Sequence, residues 1–118
     1  MIHTASDYKS EIREAMRGGD KSVKITHYFD EDNELMSPTR LCAQLELEPG
    51  AGIGFHTHEN EEEIFIVLTG KALINDNGVE KTVVAGDSIL TGNGAGHSVK
   101  NIGDETLRMV AVIVPFAK

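Results

Sequence analysis

Apolar and polar residues alternate with a period of two through most of this chain, the pattern expected where successive side chains point to opposite faces of a strand. From Ser22 to Phe29, Val23, Ile25, His27 and Phe29 alternate with Lys24, Thr26 and Tyr28, which predicts a strand with one buried face. Arg40 to Glu48 repeats the pattern, with Leu41, Ala43, Leu45 and Leu47 on one side and Arg40, Cys42, Gln44 and Glu46 on the other. The pattern alone leaves open which side faces the interior; a polar interior would make Gln44 and Arg40 candidate ligand contacts. Glu63 to Thr69 is a β-branched and aromatic run with both faces apolar, Phe65 and Val67 on one and Ile64, Ile66 and Leu68 on the other.

Turn chemistry divides the rest. Asp76-Asn77-Gly78 lies between Ala72 to Asn75 and Val79 to Val84, and Asn-Gly between two strands is a strong hairpin signal. Ala85-Gly86-Asp87 makes the next turn and Ser88 to Leu90 the next strand, and Ile102 to Glu105 turns the chain into Leu107 to Val114. About nine or ten short strands at such intervals predict an all-β sandwich or barrel. Two other elements precede them: a short edge strand at Ile2-His3, and a helix from Asp7 to Met16 with Ser6 as N-cap and Gly18-Gly19 as its end. Asp30 to Thr39 reads as a polar loop over one mouth of the barrel.

Length and charge narrow the functional classes. A chain of 118 residues is read as one domain, 1–118, able to bury a core without staples. With 11 basic and 19 acidic residues the net charge is −8, and no basic cluster offers a footprint for phosphates, so neither nucleic acid nor an anionic membrane is expected as partner. The single cysteine, Cys42, excludes an internal disulfide, and the opening residues lack a signal-peptide pattern, which together predict a cytoplasmic location. The longest apolar run, Met109 to Ala117, falls well short of the roughly 20 residues of a membrane helix. It is expected to be a final strand.

Candidate chemistry concentrates between Gly50 and Asn101. His56 and His58 are two apart, so on a strand both rings leave one face. Glu63 follows at the head of the next strand, with polar Glu59 to Glu62 read as the turn that folds it back, and His97 stands where a Gly-rich loop becomes another strand. Three imidazoles and a carboxylate form a borderline N/O set suited to Mn, Fe, Co, Ni or Zn rather than Ca or Mg. Four such ligands would leave an octahedral ion two open positions for a small molecule.

These residues resemble the two cupin motifs. The first, G-x5-H-x-H-x4-E-x6-G, falls on Gly50, His56, His58, Glu63 and Gly70; the second, G-x5-P-x-G-x2-H-x3-N, falls on Gly86, Gly94, His97 and Asn101. Gly92 stands where the family usually has proline, and loosens the expected stiffness of the loop before His97. The resemblance implies a cupin jelly roll, a double-stranded β-helix barrel with the short N-terminal helix added, holding a divalent metal ion (Mn or Fe first, then Zn, Ni or Co). The chain resembles small cupins likened to one half of an oxalate decarboxylase, with dioxygenase and sugar-isomerase cupins as neighbours. A small carboxylate- or diol-type ligand is implied, with a non-catalytic binding module as the alternative. No acid-base residue is assigned; Glu61, Glu62 and the acidic residues of the Asp30 to Glu34 loop are the candidates within reach.

Several residues have plainer readings. Glu61 and Glu62 read as a solvated turn, His27 as a buried structural histidine and Cys42 as a small filler without an adjacent base. Ile64, Ile66 and Leu68 require cover, which by resemblance a homodimer would supply.

Overall fold

The computed structural model describes residues 1–116, and in it ten strands form two antiparallel sheets. In chain order these are β1 (Lys9–Glu14), β2 (Ser22–His27), β3 (Leu41–Leu47), β4 (Gly52–Thr57), β5 (Glu61–Thr69), β6 (Lys71–Asp76), β7 (Val79–Val84), β8 (Ser88–Gly92), β9 (Gly96–Asn101) and β10 (Leu107–Pro115). The larger sheet runs β1-β2-β3-β10-β5-β8 and the smaller β4-β9-β6-β7. This is the cupin fold, all-β as the alternation predicts. Ala117, at the end of the expected last strand, lies outside the described residues.

Register explains the core. On the inner face of the larger sheet Ile89 lies across from Phe65, Phe65 from Ala111, Ala111 from Ala43, and Ala43 from His27. Leu45, Leu47, Val67, Leu107 and Met109 share the interior with Ile53, Ala72, Ile74 and Val99 of the smaller sheet. The apolar side of β3 therefore faces inward. Cys42 and Gln44 face out and Gln44 accepts a hydrogen bond from the Tyr28 hydroxyl at 3.3 Å, so neither is a ligand contact. The Asn77-Gly78 turn is as predicted, with both residues at positive φ, 51° and 96°, as the hairpin twist requires.

The N-terminal segment departs from the sequence reading. Asp7 to Met16 is not a helix: Lys9–Glu14 pairs with β2 from Lys9↔His27 to Glu14↔Ser22, and only single 3-10 turns occur, at Ala5–Asp7 and Met16–Gly18. Tyr8, Ile12 and Met16 gave too narrow an apolar stripe to bury a helix, and Ile12 is 59% exposed on the outer face. Backbone pairing at a free sheet edge, with Ser10 bonded to Thr26 across the strands, outweighed helix propensity. Ile2-His3 is not a strand; His3 Nε2 instead meets Glu34 Oε2 at 2.6 Å.

Candidate metal centre

β5 begins at Glu61, two residues earlier than the turn reading allowed, and Glu61, Glu63, Phe65 and Val67 all point inward. Glu62 takes the other face, opposite Gly92. His56 lies in β4 directly across from His97 in β9, and a register irregularity between Ile53 and His56 keeps both Ile53 and His56 on the inner side. His58 sits one residue past the end of β4, held there by its N–H to Ala95 O at 3.0 Å and by Gly94 N–H to its own carbonyl at 2.9 Å.

These elements bring the four predicted residues together. One potential ligand atom from each of His56, His58, Glu63 and His97 lies within 4.8 Å of the others. His97 Nε2 is 3.1 Å from Nε2 of both His56 and His58, and Glu63 Oε1 is 2.9 Å from His58 Nε2 and 3.1 Å from His97 Nε2. Metal-nitrogen bonds of about 2.1 Å meeting at a right angle space neighbouring ligand atoms about 3 Å apart, so the cluster has the span of a coordination shell.

The outer nitrogens show why the donor set suits a cation. His56 Nδ1–H donates to Gly54 O at 2.8 Å, and His58 Nδ1–H donates to Glu61 Oε2 at 2.7 Å. With those protons placed, Nε2 of both rings is a bare lone pair turned toward the others. A cation among them would meet both lone pairs and the Glu63 carboxylate oxygen. His97 is held differently: its ring is stacked on Phe65, with centroids 4.8 Å apart and planes within 5°, and its buried Nδ1 has no hydrogen-bond partner among the described residues.

Glu61 belongs to this centre, and the turn reading missed it. Applying to Glu61 the same two-residue step that relates Glu63 to Phe65 would have found it. Arg40 Nε and Nη2 both donate to its carboxylate at 2.9 Å. That guanidinium first, and His58 after it, hold the Glu61 carboxyl down at about 2 against the opposing effect of burial. The other groups shift for separate reasons. Burial dominates at His56 and lowers its pKa, with the charges of His97, His58 and Arg17 adding to it against the Gly54 bond. The bond to Glu63 raises His58 despite burial, and Glu61 adds to the rise. At Glu63 burial is the largest single influence and pushes upward, but the contacts with His58 and His97 together outweigh it and leave the carboxyl low.

A cavity of about 140 Å³ opens onto His56, His58 and Glu63, walled by Ile25, Leu41, Leu45, Ile53, Phe65 and Ile113, with Arg13, Arg17, Arg40, Glu11 and Glu31 among its polar lining. At about 30 Å³ per water it holds a ligand of a few heavy atoms. His27 lines it too, bonded to Glu11 Oε2 at 2.9 Å and half-buried, so it is neither a ligand of the cluster nor a fully buried structural histidine. A larger outer cavity of about 400 Å³ shares Glu11, His27 and Glu31 with the first but touches none of the four clustered residues. The Asp30 to Glu34 loop lines that outer cavity, and only Glu31 of it reaches the inner one.

Gly92 has a packing role. A Cβ there would lie 2.6 Å from Glu62 Cβ and 2.7 Å from Glu61 O, so the loop before His97 rests directly on the start of β5.

Comparison with known proteins agrees with this architecture. The chain is 35% identical over 114 residues, 97% of its length and 93% of the other's, to an oxalate-binding protein of Thermotoga maritima. It is 30% identical over 109 residues to an oxalate decarboxylase of Arthroderma benhamiae, covering 85% of this chain but 25% of that protein. A crystal structure of a predicted oxalate decarboxylase from Thermotoga maritima superposes with a TM-score of 0.92 at 34% identity, over 98% of this chain and all of the other. The Cupin domain model matches residues 43–113, and with the fold and these relatives it makes the chain a member of the cupin family.

Proposed function

We propose that the protein binds a divalent transition metal ion through His56, His58, Glu63 and His97 and uses it to hold a small dicarboxylate, with oxalate the first candidate. The observation that carries this is the cavity: it opens on three of the four clustered residues, and three arginines stand among its lining. When bound, the ion supplies Lewis acidity and open positions for carboxylate oxygen. The chain's own residues do the rest. Glu61 orients His58, the carbonyl of Gly54 orients His56, and Phe65 fixes the plane of His97. The apolar wall admits a flat, compact anion and limits water. Mn or Fe is favoured, with Zn, Ni or Co as alternatives, because three imidazoles and one carboxylate suit each of them. The reading treats 1–118 as one cupin domain and retains the cytoplasmic location that the lone Cys42 suggests; among the described residues no helix is long and apolar enough to cross a membrane.

A homodimer is part of the same proposal. Ile66 and Leu68 are 40% and 42% exposed, and Leu90 beside Ile64 is 61% exposed. β1 lies at the far edge of the sheet, so the N-terminal segment gives these side chains no cover. A second copy docked on this outer face would cover them.

Elemental analysis of the purified protein, followed by calorimetric titration of oxalate into metal-loaded and metal-stripped samples, tests the reading. Binding that needs the metal is expected; equal binding without it would refute the proposal. A decarboxylase is the second reading, favoured by Glu31 on the cavity wall. Loss of carbon dioxide from oxalate leaves an electron pair on the remaining carbon, and a proton delivered through Glu31 would complete formate, with no net oxidation; Glu11, held ionised by His27 and Arg13, is not the donor. Formate and carbon dioxide released in equal amounts would establish it.

A further inference from the structure

The segment between β1 and β2 is an unusual device for so short a connection. Ala15, Arg17 and Lys21 all have positive φ, 48°, 54° and 58°, in the left-handed region that non-glycine residues seldom occupy. The turn is nevertheless closed by Ala15 N–H to Lys21 O at 2.8 Å, Gly18 N–H to Ala15 O at 2.8 Å and Gly19 N–H to Met16 O at 2.9 Å. It lies flat on β4, with Gly52 N–H bonded to Asp20 O at 2.9 Å. A side chain at Gly54 would run into the Arg17 carbonyl, and one at Gly19 into that of Gly52. Met16 packs against the core. Strained backbone that the surroundings hold so firmly is characteristic of sites where a side chain must be presented in one direction.

The side chain presented is Arg17, on the lining of the cavity that reaches His56, His58 and Glu63. The two other arginines of that lining are engaged: Arg13 Nε on Glu11 at 2.8 Å, and Arg40 on Glu61 at 2.9 Å. Among the described residues Arg17 has no carboxylate within ion-pair distance. A guanidinium can bind both oxygens of one carboxylate in parallel, which an ammonium cannot.

We propose that Arg17 is the specificity-determining residue of the cavity, taking a carboxylate of the ligand and thereby selecting small dicarboxylates over monocarboxylates. This rests on the metal-dependent dicarboxylate reading above. One carboxylate is committed to the ion and leaves the other without a counter-charge; a monocarboxylate such as acetate has nothing to offer Arg17. The strap's rigidity sets the length of ligand that can reach both. Because this segment is bonded to β4 at Gly52 and packs on Gly54, ligand length and metal position are tied to the strand that carries His56.

The test is calorimetric titration of oxalate, and separately of acetate, into the manganese-loaded protein and its Arg17→Gln and Arg17→Lys variants, with metal content and melting temperature measured on each. Arg17→Gln is expected to keep its metal and its melting temperature and to bind oxalate at least about tenfold more weakly, with acetate binding changed less than about twofold. Arg17→Lys should fall between the two, since the charge stays and the paired contact is lost. Oxalate affinity within about twofold of wild type in Arg17→Gln would overturn the assignment while leaving the dicarboxylate reading intact. Loss of metal in that variant would also overturn it, because Arg17 would then act on the ion's site and not on the ligand. A wild-type protein that binds metal but no oxalate would remove the functional reading and this inference together.

Discussion

Arg40 and Glu61 form a two-point ion pair, Nε and Nη2 each 2.9 Å from a carboxylate oxygen, and the same carboxylate accepts the Nδ1 proton of His58 at 2.7 Å. Charge on Arg40 is thus passed to the far nitrogen of a clustered imidazole through one side chain. Outer partners of this kind typically alter metal affinity by about 10- to 100-fold. Glu61→Ala should lower metal affinity by that order. Glu61→Gln, which keeps an acceptor, and Arg40→Ala, which leaves Glu61 in place, should each lower it less. Competition against a chelator of known affinity is the measurement, and unchanged affinity in Glu61→Ala would detach Glu61 from the centre.

The shifted groups set a pH profile for the metal-free protein. His58 is raised above its ordinary 6.5, so its stabilisation is complete below that value and is lost as pH rises through the folded-state value. Glu61 is depressed from 4.5 to about 2, so its stabilisation is present above 4.5 and is lost as pH falls toward 2. His56, lowered by burial, works the other way, and its contribution is lost as pH falls from 6.5. Metal-free protein should therefore melt highest near pH 6.5, with stability falling on both sides, as scanning calorimetry across pH would show. Metal requires neutral His58, so affinity should weaken as pH drops below its raised value, and bound metal should move the melting optimum upward. Identical optima with and without metal would contradict this.

Gly92 carries a steric prediction. Its missing Cβ would fall 2.6 Å from Glu62 Cβ and 2.7 Å from the Glu61 carbonyl, so Gly92→Ala must push the loop off β5. The expected cost is about 1–3 kcal/mol in urea unfolding, the range for overpacking. Metal affinity should fall as well, since the displaced loop leads directly into β9 and His97. Wild-type stability in this variant would show that the loop yields freely.

Assembly is tested at Ile66. Placing a charge there should give monomer or aggregate, so Ile66→Glu is compared with Glu80→Lys, an exposed position on β7 of the other sheet, which should leave the dimer intact. Glu62 makes a poor control because it lies in β5, half-buried against Gly92. Light scattering that finds the wild type monomeric at micromolar concentration would remove the dimer.

The all-β architecture and the four clustered residues could be read from the sequence because both depend on short-range rules: a period of two, turn residues, and ligand spacings within two motifs. Glu61 was lost to a boundary error of two residues in β5, since a carboxylate counted as turn has no face. Arg40 was a candidate only if the polar side of its strand faced inward, and it reaches the cavity instead from just ahead of β3, through a contact 21 positions away with Glu61. Arg17 was beyond reach, because it stands in a left-handed turn that no propensity marks. The missing helix shows the same limit from the other side, because what made Lys9–Glu14 a strand was an open edge on β2.

β9 is fastened at both ends by different means. At its start stands His97 in the ligand cluster; at its end the buried Asn101 side chain donates to Leu47 O at 2.8 Å and Glu105 O at 2.9 Å, and accepts from Gly103 N–H at 2.9 Å. Leu47 belongs to the larger sheet and so does Glu63, so one stitch between the two sheets is made by an amide and another through the cluster, beside a long bond of 3.5 Å from the Thr91 hydroxyl to Asp76 Oδ1. Stripping a bound metal would weaken only the stitch through the cluster, leaving there the contact of His97 Nε2 with Glu63 Oε1. The sandwich should then gape like a clasp hinged at Asn101: amide hydrogens near His56 and His97 should exchange faster, and those beside Leu47 and Asn101 should keep their protection.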